Sequence, residues 1–294
     1  MKILITGAAG RLASDFARHF QNAGHDVIAT SRQTLDVSNH DQRAQVLTQH
    51  QPDVVINCAA LCDVDVCERE QALAFSINES APAHMATVSK NVGAYFIHIS
   101  TDYVFDGLSA VPYSEEDTPH PVSVYGLSKH AGEIAVREAN DAALVIRVAW
   151  VFGPGKPGFV DYVLRSLQSD TPLSVITDKW SSPTYTLDAA MGLESVISKK
   201  PAGLLHMTNH GSCSWWEYAE GVRQAALSAH LPLKQEVIGK MRLGDMTKFV
   251  GKRPPMTSLS TDKFKRITDI QMPPWTHAVN RYIKGLAEKQ GIIG

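Results

Sequence analysis

The sequence predicts an α/β fold with a doubly wound parallel sheet and a smaller C-terminal lobe. Short apolar segments alternate with helix patterns through the first half of the chain, which is typical of parallel strands joined by right-handed crossovers. A glycine-rich turn between the first strand and the first helix indicates the same class. With 294 residues, the chain is long enough for one large domain or two smaller ones.

The first strand and helix meet at a turn suited to a dinucleotide. Lys2 to Thr6 is an apolar run typical of a buried parallel strand. Gly7 permits a tight turn, and Gly10 lets the backbone approach a pyrophosphate that rests on the helix N-terminus at Arg11 and Leu12. We therefore assign these four residues to a cofactor. The spacing is G-x-x-G-x-x-A rather than G-x-G-x-x-G, and a strand–helix turn without a ligand stays open as an alternative.

The end of the second predicted strand, His25 to Thr30, bears on the choice of cofactor. NAD enzymes usually carry an acid there, which holds a ribose hydroxyl. Here the chain has Ser31 and Arg32, whose hydroxyl and guanidinium suit a 2′-phosphate better. NADP, used as NADPH, is therefore favoured over NAD, which stays open, as does a solvated role for Arg32. Asp36 and Val37 follow and are included in the predicted cofactor site.

Three more predicted strands bring further residues to one edge of the sheet. They run over 53–60, 94–99 and 143–148, and a predicted helix over 72–92 lies between the first two. Ligands of such folds bind outside the carboxyl ends of the strands. From this region we assign five more residues to the cofactor: Cys58, Ala59, Ala60, Asn78 and Ser100.

Tyr125 and Lys129 are four residues apart and would lie one turn from each other on a helix. A nearby ammonium favours the tyrosinate, so we expect it to lower the phenol's pKa from ~10. A phenol tuned in this way can give a proton to a carbonyl or take one from an alcohol. Because Tyr-x-x-x-Lys is common on exposed helices, the pair alone is a weak signal. It follows the fourth strand, however, and so belongs beside the same edge.

The second half of the chain is less regular and predicts the smaller lobe. We assign residues 1–153 to an NAD(P)-binding domain and 154–294 mainly to a substrate-binding lobe, with segments around 173–210 returning to the first domain. Strands are predicted at 173–176 and 204–206. Ser214 and Glu217 form a capping-box pattern that predicts a helix start. We interpret the neighbouring Trp215 and Trp216 as packing residues.

Composition argues against several other classes. A formal net charge of −2 does not indicate a nucleic-acid or membrane-surface partner, which would usually leave a basic patch. The apolar start is too short for a signal-peptide core or a membrane span. The four cysteines form no C-x-x-C pair and the 12 histidines no metal motif, so we expect reduced thiols, no metal and a cytoplasmic location.

Taken together, the motifs resemble those of the extended short-chain dehydrogenase/reductases, which carry an NAD(P)-binding Rossmann fold. More narrowly, the chain is similar to the dTDP-4-dehydrorhamnose reductase family. Three motifs carry the likeness: Gly7-x-x-Gly10, the segment STDYVFDG at 100–107, and Tyr125-x-x-x-Lys129. It extends over almost the whole length through PDVVIN at 52–57, RVAWV at 147–151, LSVI at 173–176, Arg253-Pro254 and Pro274-Trp275.

The resemblance implies NADPH-dependent reduction of the 4-keto group of a nucleotide-linked 6-deoxyhexose. Tyr125 matches the family's proton donor, Lys129 its lysine and Thr101 the third catalytic residue. Trp150 matches a tryptophan that lines the sugar site. We accordingly assign substrate binding to four residues: Asp65, Phe105, Trp150 and Arg253.

One difference separates this chain from sugar-nucleotide dehydratases, which have Thr-Asp-Glu where this chain has Thr101-Asp102-Tyr103. Without the extra carboxylate, the sequence favours simple reduction. The expected partner is a nucleotide-sugar substrate, and a homodimer is compatible with this interpretation.

Two other interpretations stay open. The first is a non-catalytic cofactor-binding protein similar to the regulatory (beta) subunit of methionine adenosyltransferase. The second is a reductase of a different keto-sugar or of a small carbonyl compound. The complete set of Thr101, Tyr125 and Lys129 argues against a role restricted to binding.

Overall fold

A six-stranded parallel sheet forms the centre of the molecule, as predicted. The structure is a computed structural model that describes residues 1–292. Its strands are β1 Lys2–Thr6, β2 Asp26–Thr30, β3 Val54–Asn57, β4 Tyr95–Thr101, β5 Leu144–Val148, β6 Val151–Phe152, β7 Ser174–Ile176, β8 Trp180–Ser181, β9 Thr184–Tyr185, β10 Gly203–His206, β11 Cys213–Ser214 and β12 Gly239–Met241.

The order of strands in the central sheet is β10-β5-β4-β3-β1-β2. From β1 the chain first adds β2 on one side and then β3, β4 and β5 on the other, so the order reverses between β1 and β3. Parallel sheets of this kind open a ligand crevice outside the carboxyl ends of the strands at that point. The register places Thr6 of β1 opposite both Thr30 of β2 and Asn57 of β3.

Helices cover both faces of this sheet. They are α1 Arg11–Asn22, α2 His40–His50, α3 Val64–Arg69, α4 Gln71–Phe75, α5 Ala81–Asn91, α6 Val124–Ala139, α7 Phe159–Leu167, α8 Thr186–Lys199, α9 Trp215–Ser228, α10 Asp262–Thr268 and α11 Trp275–Lys289, with a π-helical turn Ser76–Ser80 and 3₁₀ turns Asp102–Val104 and Leu243–Asp245.

Side chains alternate between the two faces of the sheet along each strand, and each face packs against its own set of helices. Ile3 and Ile5 of β1 pack with α1 and α8, whereas Leu4 between them packs on the opposite face with α2, α5 and α6. The period of two residues that separates them is a property of any strand. Both faces are apolar because a parallel sheet is covered on both sides.

The single helix predicted over 72–92 is divided in the structure. It runs as α4, the π-helical turn and α5, with Pro82 in the first turn of α5. Proline has no N–H, so the helical hydrogen bond that residue 82 would give to the carbonyl of Asn78 cannot form. The chain widens at that carbonyl, which lies against Gly132 of α6.

The second half of the chain contributes to two regions. Gly203–His206 pairs with β5 and extends the central sheet, while Ser174–Ile176 pairs with β12 outside it. Helices α7, α9 and α11 share a separate apolar core. The capping box is confirmed, since Ser214 Oγ accepts from Glu217 N at 3.1 Å and the Glu217 carboxylate from Ser214 N at 2.8 Å. The domain limits of 153 and 154 stay a prediction. Among residues 1–292, no helix has the length and apolar character needed to cross a membrane.

Candidate active site

A cavity of about 420 Å³ opens at the carboxyl ends of the central strands, beneath residues of the second half of the chain. It brings together many of the residues predicted for the site. Those that line it are Gly7, Gly10, Arg11, Leu12, Cys58, Ala60, Ser100, Thr101, Tyr125, Lys129 and Trp150.

The glycine turn forms the floor of one end of this cavity. Gly7 has a φ of +71°, and a Cβ atom on it would lie 2.9 Å from the backbone nitrogen of Ala59. Helix α1 starts directly after Gly10, has no side-chain cap and carries no acidic residue in its first turn. Its first N–H groups are therefore available to an anion, and Leu12 and Ala13 line the cavity there. These features fit the pyrophosphate of a dinucleotide.

Arg11 has a second function in the structure. Its guanidinium donates to the carbonyl of Val151 at 2.8 Å and to that of Lys156 at 2.6 and 3.0 Å. A Cβ atom on Gly158 would lie 2.6 Å from the same guanidinium. Arg11 thus ties the glycine turn to the loop that leads into α7.

Thr101 and Tyr125 lie next to each other in the wall of the cavity. Thr101 ends β4, where its Oγ1 donates to Asp102 Oδ1 at 3.1 Å and accepts from Tyr103 N at 3.2 Å. Helix α6 approaches so closely that a side chain at Gly126 would collide with the carbonyl of Tyr103. The ring of Tyr125 therefore lies 5.6 Å from that of Tyr103, with its phenol beside the Thr101 hydroxyl.

The expectation that Lys129 lowers the pKa of Tyr125 is wrong for this structure. Burial raises the pKa of Tyr125 well above its ordinary value, and the Thr101 hydroxyl only partly opposes that effect. The Lys129 ammonium instead donates to the carbonyl of Ile99 at 2.8 Å and lies 3.2 Å from Nε2 of His98. Burial lowers the pKa of Lys129 itself to about 8. Tyr125 is accordingly a protonated acid at neutral pH.

The predicted ribose-phosphate residues lie at the end of β2 and do not line the cavity. The Arg32 side chain is 86% exposed, and its Nε is 3.9 Å from the carboxylate of Asp36. That carboxylate accepts from both N and Oγ of Ser38. Ser31 and Val37 of this group, and Ala59 after β3, likewise lie outside the cavity wall.

Two residues predicted for the site, Asn78 and Phe105, do not line the cavity in the structure. Asn78 is buried and does not line the cavity; its Oδ1 accepts from Leu61 N at 2.9 Å, and its Nδ2 donates to Leu61 O and Ser128 Oγ, both at 3.0 Å. Phe105 is fully buried and stacks on Tyr113 at 4.0 Å, so it packs in the core, and its contact with a substrate stays a prediction. Both side chains hold loops that border the cavity.

Asp65 and Arg253 contact each other instead of lining the cavity. Arg253 Nη1 lies 2.6 Å from the Asp65 carboxylate, which also accepts from the backbone N–H groups of Val250 and Gly251. The guanidinium of Arg253 holds the pKa of Asp65 well below its ordinary value. The pair fixes the 250–253 loop to α3, and its contact with a substrate stays a prediction.

Lys179 is a site residue that the sequence analysis missed. It is 2% exposed and lines the cavity, where its Nζ donates to the carbonyl of Pro254 at 2.6 Å and lies 4.9 Å from the ring centroid of Tyr103. Burial lowers its pKa to about 8. An ammonium has three N–H groups, so Lys179 keeps donors for a ligand.

Asp102, Ser181 and Trp215 were also missed. The Asp102 carboxylate accepts from Ser181 Oγ at 2.9 Å and from Thr257 Oγ1 at 2.5 Å, and burial raises its pKa. Trp215 lines the cavity 5.4 Å from Trp150, so the interpretation of this tryptophan as packing alone was incomplete. Ser181 lies on a two-residue strand, and Asp102 and Trp215 are the first residues of a 3₁₀ turn and of helix α9, so no periodic pattern in the sequence marks their position in the site.

No metal centre is evident in the part of the chain that the structure describes, where no three His, Cys, Asp or Glu side chains are grouped to hold an ion. All four cysteines have free thiols. Cys58 and Cys62 line the cavity, and burial raises the pKa of Cys58 to about 12.

The parallel sheet, the uncapped helix at its crevice and the Thr–Tyr–Lys set on the same edge define an NAD(P)-dependent oxidoreductase. The chain belongs to the RmlD substrate binding domain family, whose model matches residues 1–288.

Curated relatives match over nearly their full length. The spore coat polysaccharide biosynthesis protein SpsK of Bacillus subtilis is 33% identical over 285 residues, covering 96% of this chain and 97% of that protein. The dTDP-4-dehydrorhamnose reductase of Escherichia coli is 31% identical over 296 residues, covering 97% and 98%.

Solved structures agree with this family. A dTDP-4-dehydrorhamnose reductase from Clostridium acetobutylicum superimposes with a TM-score of 0.90 at 33% identity, covering 97% of this chain and 99% of that one. The dTDP-4-dehydrorhamnose reductase of Bacillus anthracis, in complex with NADP, gives 0.89 at 30% identity with coverages of 96% and 98%. A UDP-glucose 4-epimerase from Thermotoga maritima, at 17% identity and 0.82, shares the fold.

Proposed function

We propose that the protein uses NADPH to reduce the 4-keto group of a nucleotide-linked 6-deoxyhexose, with dTDP-4-dehydrorhamnose as the substrate to test first. The observation that carries this proposal is the meeting of Thr101, Tyr125 and Lys129 with the glycine turn in one cavity. Relatives named dTDP-4-dehydrorhamnose reductase support the substrate class. NADP is the cofactor, in line with the Bacillus anthracis structure.

When bound, NADPH supplies the hydride that reduces the carbonyl carbon. As negative charge develops on the carbonyl oxygen, the Tyr125 phenol donates its proton to that atom. The Thr101 hydroxyl lies beside the phenol and can hold the same oxygen in place. The raised pKa of Tyr125 suits this direction of transfer, because the phenol keeps its proton until a stronger base forms next to it.

Two buried groups support binding of the sugar and disfavour dehydration. Lys179 lines the cavity with N–H donors to spare, and we assign it to an oxygen of the substrate. Asp102 is already engaged with three hydroxyls, those of Thr101, Ser181 and Thr257. With Tyr103 next in the chain, no additional carboxylate stands free there for water elimination.

Steady-state NADPH oxidation across a panel of nucleotide-linked 4-keto-6-deoxyhexoses tests the proposal. We expect the highest kcat/KM with dTDP-4-dehydrorhamnose and a product that has gained two hydrogens by mass spectrometry. The same keto-sugar without its nucleotide is the control and should react poorly. Tight NADPH binding without turnover of any sugar would overturn the proposal and favour a cofactor-binding regulatory protein. A cytoplasmic location and a homodimer stay predictions.

A further inference from the structure

Three buried polar side chains lie side by side across the central sheet. Thr6, Asn57 and His98 occupy directly opposite positions on the adjacent strands β1, β3 and β4, and each is at most 1% exposed. One residue earlier, the same three strands carry Ile5, Ile56 and Ile97. An apolar row is the default in a parallel sheet covered on both faces, so the polar row calls for a cause.

The row is continuous and ends at a lysine of the cavity. Thr6 Oγ1 lies 2.6 Å from Asn57 Oδ1, Asn57 Nδ2 lies 3.0 Å from His98 Nδ1, and His98 Nε2 lies 3.2 Å from Lys129 Nζ. At the other end, the backbone N–H of Ala59 donates to Thr6 Oγ1 at 3.2 Å. The row therefore links the loop after β3 to Lys129 on α6.

Counting the donors of Lys129 shows what His98 can do. An ammonium has three N–H groups. One is directed at the carbonyl of Ile99 at 2.8 Å, and when His98 Nε2 accepts a second one at 3.2 Å, a single N–H is left. Lys129 lines the cavity, so that remaining group is the one a ligand can receive. Its direction depends on both buried partners, and only His98 is a side chain.

His98 has the properties that this task requires. Burial, together with the charge of Lys129, lowers the pKa of His98 well below its ordinary value, so the imidazole is neutral and can accept a hydrogen bond. A neutral ring has one N–H, and when Nε2 accepts from the ammonium, Nδ1 must donate to the amide oxygen of Asn57. When Nδ1 instead accepts from the amide nitrogen, Nε2 carries the proton and donates to the lone pair of an uncharged Lys129 amine, which still has one N–H beyond the one directed at Ile99. The amide orientation of Asn57 and the charge of Lys129 are thereby linked.

We propose that His98, held by Asn57 and Thr6, is a positioning residue that directs the free N–H of Lys129 at the ribose hydroxyls of the nicotinamide nucleotide. The proposal rests on the proposed function, with Lys129 as the residue that holds the nicotinamide ribose. It adds that residues inside the sheet are needed for tight binding of NADPH, independently of any contact with the sugar. The row orients the Lys129 side chain and favours its protonated form. Of the four linked residues, Lys129 is the one that contacts the cofactor.

Fluorescence titration with NADPH tests this in the absence of any sugar. His98→Leu removes the acceptor and should raise the Kd for NADPH ~10-fold, the effect of losing one oriented charged hydrogen bond. His98→Gln restores an acceptor and should recover most of the affinity. His206→Leu is the control, since His206 is also buried on a strand of this sheet and lies outside the cavity. Wild-type affinity in a folded His98→Leu protein, or an equal loss in His206→Leu, would overturn the proposal.

A second variant covers the case in which His98→Leu does not fold. Thr6→Val keeps the shape of the far end of the row and removes its hydroxyl. We expect a smaller rise in Kd and a lower thermal midpoint than in Ser89→Ala, because Asn57 and Ala59 lose a hydrogen-bond partner whereas the buried Ser89 hydroxyl has none in the structure. An unchanged Kd for NADPH in Thr6→Val at every pH would show that the row does not act on Lys129.

The pH dependence of NADPH binding gives a reading that a merely structural residue would not change. The titratable groups that face Lys129 are His98, Cys58, Cys62 and Glu133. Among these five groups, Lys129 is the one whose pKa lies near 8. Affinity should fall as the pH rises through that value. In His98→Leu the midpoint should move to lower pH, because an acceptor of the ammonium is lost, and in His98→Gln it should return.

These outcomes separate the two proposals. If the wild type reduces no keto-sugar, the proposed reaction fails while the titrations still report on His98. If Lys129→Met binds NADPH as the wild type does, the role of Lys129 fails together with that of His98. Turnover with normal binding in His98→Leu would defeat the positioning role alone.

Discussion

Glu133 and Arg147 form a two-pronged ion pair at the centre of the fold, with Nε to Oε1 at 2.8 Å and Nη2 to Oε2 at 2.6 Å. Glu133 lies on α6, two turns after Tyr125, and also accepts from Ser100 Oγ at 2.6 Å. Arg147 lies on β5. The pair therefore holds the helix that carries Tyr125 against β5, and the bond from Ser100 holds the same helix against β4, which ends at Thr101.

Breaking this pair should destabilise the protein strongly. Glu133→Gln leaves the Arg147 charge buried without its counter-ion, which typically costs about 3–5 kcal/mol. Chemical denaturation should show the loss as a lower free energy of unfolding. Asp141→Asn is the control, because it removes an exposed ion pair with Lys90 and should leave the unfolding midpoint unchanged.

The same pair should control unfolding in acid. Burial alone would raise the pKa of Glu133, but hydrogen bonds from Arg147, His130 and Ser100 outweigh it and lower the pKa from 4.5 to about 2. A carboxylate with a depressed pKa stabilises the folded state at pH values above its ordinary pKa. That stabilisation is lost as the pH falls from 4.5 towards 2. Circular dichroism should show a steep loss of structure in this range for the wild type. A transition of the same shape in Glu133→Gln would contradict this account.

Gly7 and Gly24 offer a matched test of the dinucleotide turn. Both have positive φ, +71° and +81°, so alanine at either should cost about 1–2 kcal/mol in backbone strain. A Cβ atom on Gly24 meets nothing within 4 Å, whereas one on Gly7 meets the backbone of Ala59 at 2.9 Å. Gly7→Ala should cost about 1–3 kcal/mol more through overpacking and should weaken NADPH binding. Equal stability and affinity in the two variants would speak against a constrained turn.

Arg32 is expected to distinguish the two nicotinamide cofactors. Only NADPH has a 2′-phosphate for its exposed guanidinium, and a hydrogen bond between charged groups is worth ~1.5–3 kcal/mol. Arg32→Ala should therefore weaken NADPH ~10–100-fold and leave NADH almost unaffected. Isothermal titration of both cofactors measures the difference, with Lys90→Ala as a control on a distant exposed cation. Equal losses for NADPH and NADH would remove Arg32 from the phosphate site.

Lys179 should affect the sugar and not the cofactor. Lys179→Met keeps the length of the side chain and removes its N–H donors, so the KM for the sugar nucleotide should rise ~10–100-fold while the Kd for NADPH stays constant. Lys240→Met is the control, since Lys240 lies in the same half of the chain and over the ring of Trp216 instead of in the cavity. A KM like that of the wild type would show that Lys179 only supports the Tyr103 ring.

Much of the sheet could be predicted from the sequence because its strands are apolar and alternate with helices. The convergence of Thr101 and Tyr125 on the glycine turn followed from one rule, that the carboxyl ends of parallel strands share an edge. Lys179 could not be found in this way. It immediately precedes the two-residue strand Trp180–Ser181, which pairs with Cys213–Ser214 far along the chain, so no local period marks it.

The direction of the pKa shift of Tyr125 could not be predicted from the sequence, for a different reason. Spacing along a helix shows that an ammonium is near, but it does not show how deeply the phenol is buried or which partners the ammonium prefers. In the structure those partners are His98 and the carbonyl of Ile99, and burial decides the direction of the pKa shift. The division of the predicted helix near Pro82 also could not be predicted. The hydrophobic period over 72–92 is the same whether or not one backbone N–H is missing.

Replacing Tyr125 by phenylalanine tests the proposed reaction most directly. The variant loses one hydroxyl and keeps the ring that packs against Tyr103. NADPH oxidation with dTDP-4-dehydrorhamnose should fall by ~10²–10⁴-fold, the usual contribution of a positioned acid, while NADPH binds as tightly as in the wild type. Turnover at the wild-type rate in Tyr125→Phe would contradict the assignment of Tyr125 as the proton donor.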